Sequence, residues 1–108
     1  MNKAILMGRL TKAPELRTTT GDIEVASFTI AINRPYTDKD GNRTADFINC
    51  VAWRGTATFI SKYFDKGSSI AVVGSIQTRS YDKDGQTVYV TEVVVDEAYF
   101  AGDKKFDI

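Results

Sequence analysis

Apolar and polar positions alternate along most of this chain, and that period of two predicts strands. The clearest case is residues 46–54, Asp-Phe-Ile-Asn-Cys-Val-Ala-Trp-Arg. Side chains in a strand point to opposite faces in turn. Phe47, Asn49, Val51 and Trp53 therefore share one face, and Ile48, Cys50, Ala52 and Arg54 the other. The second set is small and apolar, as a core layer should be. The first sets the chain's only Trp and a Phe beside a polar Asn.

Four more segments show the same habit. Residues 3–10 alternate Ile5, Met7 and Arg9 with Ala4, Leu6, Gly8 and Leu10, apolar on both sides as in a strand covered on two faces. Residues 25–33 bury Ala26, Phe28, Ile30 and Ile32 and turn Ser27, Thr29, Ala31 and Asn33 outward. Arg34-Pro35 is predicted to end that strand, because Pro has no N–H for the ladder. Residues 69–81 place Ile70, Val72 and Ile76 on one face and Ser75, Gln77, Arg79 and Tyr81 on the other, with Gly74 at a bend or bulge. Residues 88–95 are nearly apolar on both faces, and 98–100 read as an extension or short arm.

The connections have their own signals. Residues 11–20 hold Pro14 and three consecutive threonines and are expected to be irregular. Asp40-Gly41 and Asp84-Gly85 mark two hairpin turns. Residues 55–67 change to helical spacing: Ala57, Ile60, Tyr63 and Phe64 form one apolar stripe, Thr56 is the expected N-cap, and Gly67 the expected terminator. The order is β-β-β-α-β-β. An all-β chain with one short helix after the third strand fits the five-stranded OB-fold, a Greek-key barrel that binds along its second and third strands.

Composition narrows the function. At 108 residues the chain is one domain, read as a barrel over 1–101 and a short disordered tail over 102–108. There is no apolar run long enough for a transmembrane helix or a signal peptide, so a cytoplasmic, nucleoid-associated location and no membrane partner are expected. Cys50 is the lone cysteine, read as a small buried hydrophobe. There is no His, and no nucleophile–base pair or metal set is visible, so the chain is not expected to be an enzyme or to need a cofactor. The two Asp-Lys-Asp-Gly segments, 38–41 and 82–85, lack the further acidic ligands of a calcium loop and read as turns.

Charge argues weakly. Fourteen Lys and Arg balance fourteen Asp and Glu. Residues 96–108 hold four acids and two bases, which leaves twelve bases against ten acids in 1–95. Nucleic-acid binding would then rest on placement and stacking more than on net charge. Large rings on an open sheet face are how proteins stack unpaired bases, and Phe47 and Trp53 suit that use. In a small barrel such rings also serve as core, so the residues alone leave Trp53 open to either role. Phe28, Phe59, Phe64 and Phe100 read as core or interface.

Taken as an ordered series, these segments resemble a known family. The run 2–10, Pro14-Glu15-Leu16-Arg17, residues 26–35 and 46–54, Lys66-Gly67-Ser68, residues 77–81 and Thr91-Glu92-Val93-Val94-Val95 are similar to bacterial and phage single-stranded DNA-binding proteins of the homotetrameric type. The resemblance covers most of residues 2–100. It implies sequence-independent binding of single-stranded DNA in replication, recombination or repair. By the same resemblance the base-stacking rings correspond to Tyr36, Phe47, Trp53 and Tyr81. The phosphate-contacting cations correspond to Lys3, Lys66 and Arg79, with Arg17 and Lys39. Arg34 and Arg54 join the set because they flank the rings. It also implies a homotetramer paired through the first strand. One departure is plain: the chain reaches Ile108 without the family's long Gly/Gln/Pro-rich linker and acidic tip, as either a short natural form or a core fragment would, which leaves recruitment of replication and repair proteins through such a tail doubtful. The alternative reading is an OB-fold interaction module for protein, oligosaccharide or RNA.

Overall fold

The computed structural model describes residues 1–102. Six strands and one helix follow in the order β1 (Ala4–Leu10), β2 (Glu15–Thr18), β3 (Glu24–Thr37), β4 (Arg43–Trp53), α1 (Arg54–Tyr63), β5 (Ser69–Lys83) and β6 (Gln86–Phe100). The sheet runs β1-β5-β6-β4-β3-β2, and a second pairing of β1 with β3 closes it into a barrel. Every pairing is antiparallel except β4–β6, which joins Cys50, Val51 and Ala52 to Val93, Val94 and Val95. This is the OB-fold, a five-stranded barrel with one added strand.

The barrel closes because the inward parity is apolar on each strand. Leu10, Ala26, Phe28, Ile30, Cys50, Ala52, Ile70, Val72, Val93 and Val95 form the buried cluster, and α1 plugs one end with Ala57 and Ile60. Phe64, just past the helix, is also buried and stacks on Phe100 at 5.0 Å between centroids. Burying a side chain such as Ile60 or Phe64 contributes about 1.5–3 kcal/mol.

Two glycines permit close strand approach. A Cβ on Gly8 would lie 2.4 Å from the Ala31 carbonyl oxygen, where β1 crosses β3. A Cβ on Gly74 would lie 2.1 Å from the Val94 carbonyl oxygen. The β5–β6 register also shifts at Val73/Gly74, the bulge expected at that glycine.

Several expectations are corrected. Residues 15–18 are not irregular: they form β2, whose hydrogen bonds to β3 supply what its exposed side chains do not. Pro35 does not end β3. The ladder slips between Asn33 and Thr37, so residues 34–36 face only Thr44, and Pro35 sits where no ladder N–H is required. The helix begins at Arg54 and ends at Tyr63, not over 55–67. Trp53 occupies the cap position with no side-chain bond, so Thr56 is not the cap. Thr58 Oγ1 instead donates to Glu24 Oε1. Gly67 takes φ +84 in a turn beyond the helix end. Arg54 does not face the core as strand parity requires: its φ of +58 turns the chain out of β4, and its side chain is exposed. The expected tail lies outside the described residues from 103 onward.

Candidate nucleic-acid interface

The ladder register assembles one outer surface across five strands. Directly paired residues share a face. Arg17, Val25 and Trp53 form one row across β2, β3 and β4. The next rows are Ser27 with Val51, Thr29 with Asn49, and Ala31 with Phe47. Val51 pairs with Val94 on β6 and Val94 with Ser75 on β5, which carries the face to Gln77, Arg79 and Tyr81 and their partners Glu92, Val90 and Val88. A depression of about 280 Å³ lies in this surface, lined among others by Lys12, Ser27, Asn49, Arg79, Val90 and Glu92.

The four predicted rings are open to solvent: Trp53 at 44%, Phe47 at 66%, Tyr36 at 59% and Tyr81 at 43% exposure. Trp53 and Phe47 sit on the floor strands. Tyr36 rides the slipped stretch of the β3–β4 hairpin and Tyr81 the β5–β6 hairpin. That second hairpin is held by Asp84 (φ +51) and Gly85 (φ +80), the pattern of a type I′ turn. Phe47 edges a second, apolar depression of about 230 Å³ with Leu6, Ile48 and Ile76, and Asn49 and Glu92 line both.

The cations are placed less uniformly. Arg17 shares Trp53's row and bonds Ser27 Oγ at 3.3 Å. Lys39 is exposed at the tip of the first hairpin. Lys3 is exposed beside Asn2, whose amide exchanges two hydrogen bonds with the Ile76 backbone and ties the N-terminus to β5. Arg54 lies next to Trp53 at the start of the helix. Lys66 stands apart, lining a different depression with Tyr63, Phe64 and Phe100.

Two arginines already hold carboxylates. Arg34 grips Asp46 with Nε at 3.0 Å and Nη2 at 2.8 Å. These contacts raise the guanidinium pKa further and, through the bond to Arg34, hold the Asp46 carboxyl below its usual range. Arg79 grips Glu92 through Nε at 3.1 Å and Nη2 at 3.4 Å, and its guanidinium lies 5.8 Å from the Tyr81 ring centroid. Sequence reasoning missed Glu92. The signal was there: one carboxylate inside a run of valines.

Cys50 is buried as expected. Desolvation, then the charge of Glu92, pushes its thiol up to about 12. In the folded chain at pH 8 it is expected to resist a thiol reagent such as dithionitrobenzoate and to react fully once denaturant is added. Rapid labelling of native protein would contradict that burial. Among the described residues no group of three or more His, Cys, Asp or Glu is placed to hold a metal ion. The Asp38 carboxylate is instead taken by the backbone N–H groups of Asp40 and Asn42.

Comparison with known proteins agrees with this geometry. The single-stranded DNA-binding protein of Oceanobacillus iheyensis is 52% identical over 101 residues, covering 93% of this chain and 63% of its own length. Single-stranded DNA-binding protein 1 of Staphylococcus aureus is 51% identical over 108 residues, covering 99% and 69%. Single-stranded DNA-binding protein 2 of Listeria monocytogenes is 48% identical over 109 residues, covering 100% and 68%. The chain thus spans about two thirds of the relatives it matches. Residues 1–101 match the single-strand binding protein family, and to that family this chain belongs.

Proposed function

We propose that this chain binds single-stranded DNA without sequence preference and shields it during replication, recombination or repair, in the cytoplasm at the nucleoid. The observation that carries the reading is the set of four solvent-open rings on one barrel surface and its two bordering hairpins. Each stacked base contributes about 1–3 kcal/mol, and stacking tolerates any sequence because every base has a π-face. Lys3, Arg17, Arg34, Lys39, Arg54 and Lys66 would meet phosphates, Arg34 by exchange from its exposed Asp46 partner, while Arg79 enters as part of its pair with Glu92.

Titration with oligo(dT), followed by Trp53 fluorescence, tests the reading. Strong quenching is expected, with affinity falling as salt rises. No quenching would defeat it, and tighter binding to an RNA oligomer of equal length would favour the RNA-binding alternative.

The same reading includes a homotetramer. Ile5 and Met7 on β1 are 75% and 64% exposed, and the ladder sets Val73, Ala71 and Tyr99 beside them. An apolar sheet face of that kind suits burial against another copy. Light scattering is expected to give four chains per particle, and Ile5→Lys with Met7→Lys to lower that number. A monomer at micromolar concentration would refute the assembly.

A further inference from the structure

We propose that Glu92 sets the charge of the groove by holding Arg79 as a neutral pair, so that Arg79 meets DNA as a flat plate beside Tyr81 and not as a phosphate cation. The inference rests on the single-stranded DNA reading above.

The two partners differ in exposure. The Glu92 side chain is only 14% exposed, against 55% for Arg79. Two guanidinium nitrogens face its two oxygens, which occupies one edge of the fork. A phosphate that drew Arg79 away would leave the carboxylate nearly without water and without that partner. Stranding a poorly hydrated charge costs more than one phosphate contact returns. The neighbouring Cys50 thiol also feels the Glu92 charge, as expected where water screens little.

The other hairpin supplies the contrast. Arg34 holds Asp46 through two nitrogens as Arg79 holds Glu92, but Asp46 is 45% exposed. Water can take over Asp46 when a phosphate takes Arg34, so that pair exchanges freely. Arg79 is locked and Arg34 is not. What the lock leaves available is the guanidinium plane, set against Tyr81. Such planes stack unpaired bases.

Counterion release gives the test, because a neutral pair releases none. The slope of log K against log salt changes by about 0.7 for each phosphate neutralised on a single strand. Binding of labelled oligo(dT) is measured by anisotropy over a salt series for the unmodified protein, Glu92→Gln, and Arg79→Gln combined with Glu92→Gln. The single variant is expected to bind several-fold tighter at low salt, with a slope steeper by about 0.7. The double variant is expected to keep the unmodified slope, since it too is neutral there. It buries no unpaired charge, so it is expected to fold even if the single variant does not. A double-variant slope shallower by about 0.7 overturns the proposal, because Arg79 would then have been contacting a phosphate. So does a Glu92→Gln slope that is not steeper. Failure of the unmodified protein to bind oligo(dT) would strike the underlying reading, and it would appear before any variant is made.

Discussion

Gly74→Ala is expected to cost about 3 kcal/mol or more of folding stability and to lower the melting temperature by roughly 10–20 °C at fixed protein concentration. The added methyl would meet the Val94 carbonyl oxygen at 2.1 Å, with the carbonyl carbon at 2.9 Å. Those are backbone atoms of the adjoining strand, so no flexible side chain can step aside. Val94 is also in the short parallel contact with Val51, so displacing it strains the β4–β6 seam inside the sheet. No φ between +20° and +160° is involved at Gly74; the penalty is pure crowding. Differential scanning calorimetry reads the change. Gly55→Ala is the comparison, since nothing lies within 4 Å of its added carbon, and it is expected to melt close to the unmodified chain. Equal melting of the two variants would contradict this account of the bulge.

Much of this architecture was legible in the residue order, for a physical reason. Strand parity is a property of the backbone alone, so Cys50 and Ala52 fall inward and Phe47 and Trp53 outward whatever the barrel does. The Asp84-Gly85 turn was equally local, since it needs only two residues that accept positive φ. What escaped depends on distant partners. Glu15–Thr18 has no apolar alternation and becomes a strand only because β3 offers a free edge. Pro35 is tolerated in β3 because the register slips there, which leaves residues 34–36 opposite Thr44 alone. The helix start was misplaced because Thr56 has the chemistry of a cap, whereas Arg54 leaves β4 through a left-handed turn and the helix begins at once. Among the cations, pairing was not readable. Asp46 and Glu92 lie 12 and 13 residues from the arginines they hold, and only the ladder brings them together.

Trp53→Ala is expected to weaken oligo(dT) binding by about 1–3 kcal/mol per site, or roughly 5- to 150-fold. Trp53 shares its row with Val25 and Arg17 at one end of the surface, and it is 44% exposed, so truncation removes a platform without emptying the core. The melting temperature is therefore expected to move little compared with Gly74→Ala. Because the variant loses the fluorescent probe, binding is read by anisotropy of a labelled oligonucleotide. Trp53→Phe keeps a flat ring and is expected to recover most of the affinity. Tyr89 is the sharper control. At 80% exposure it is more open than any of the four candidate rings, yet it pairs with Ser80 and points away from the face of Arg79 and Tyr81. If open aromatic surface alone mattered, Tyr89→Ala would weaken binding most. If one face of the barrel does the work, Tyr89→Ala binds normally while Trp53→Ala does not, and the reverse pattern would remove the groove from consideration.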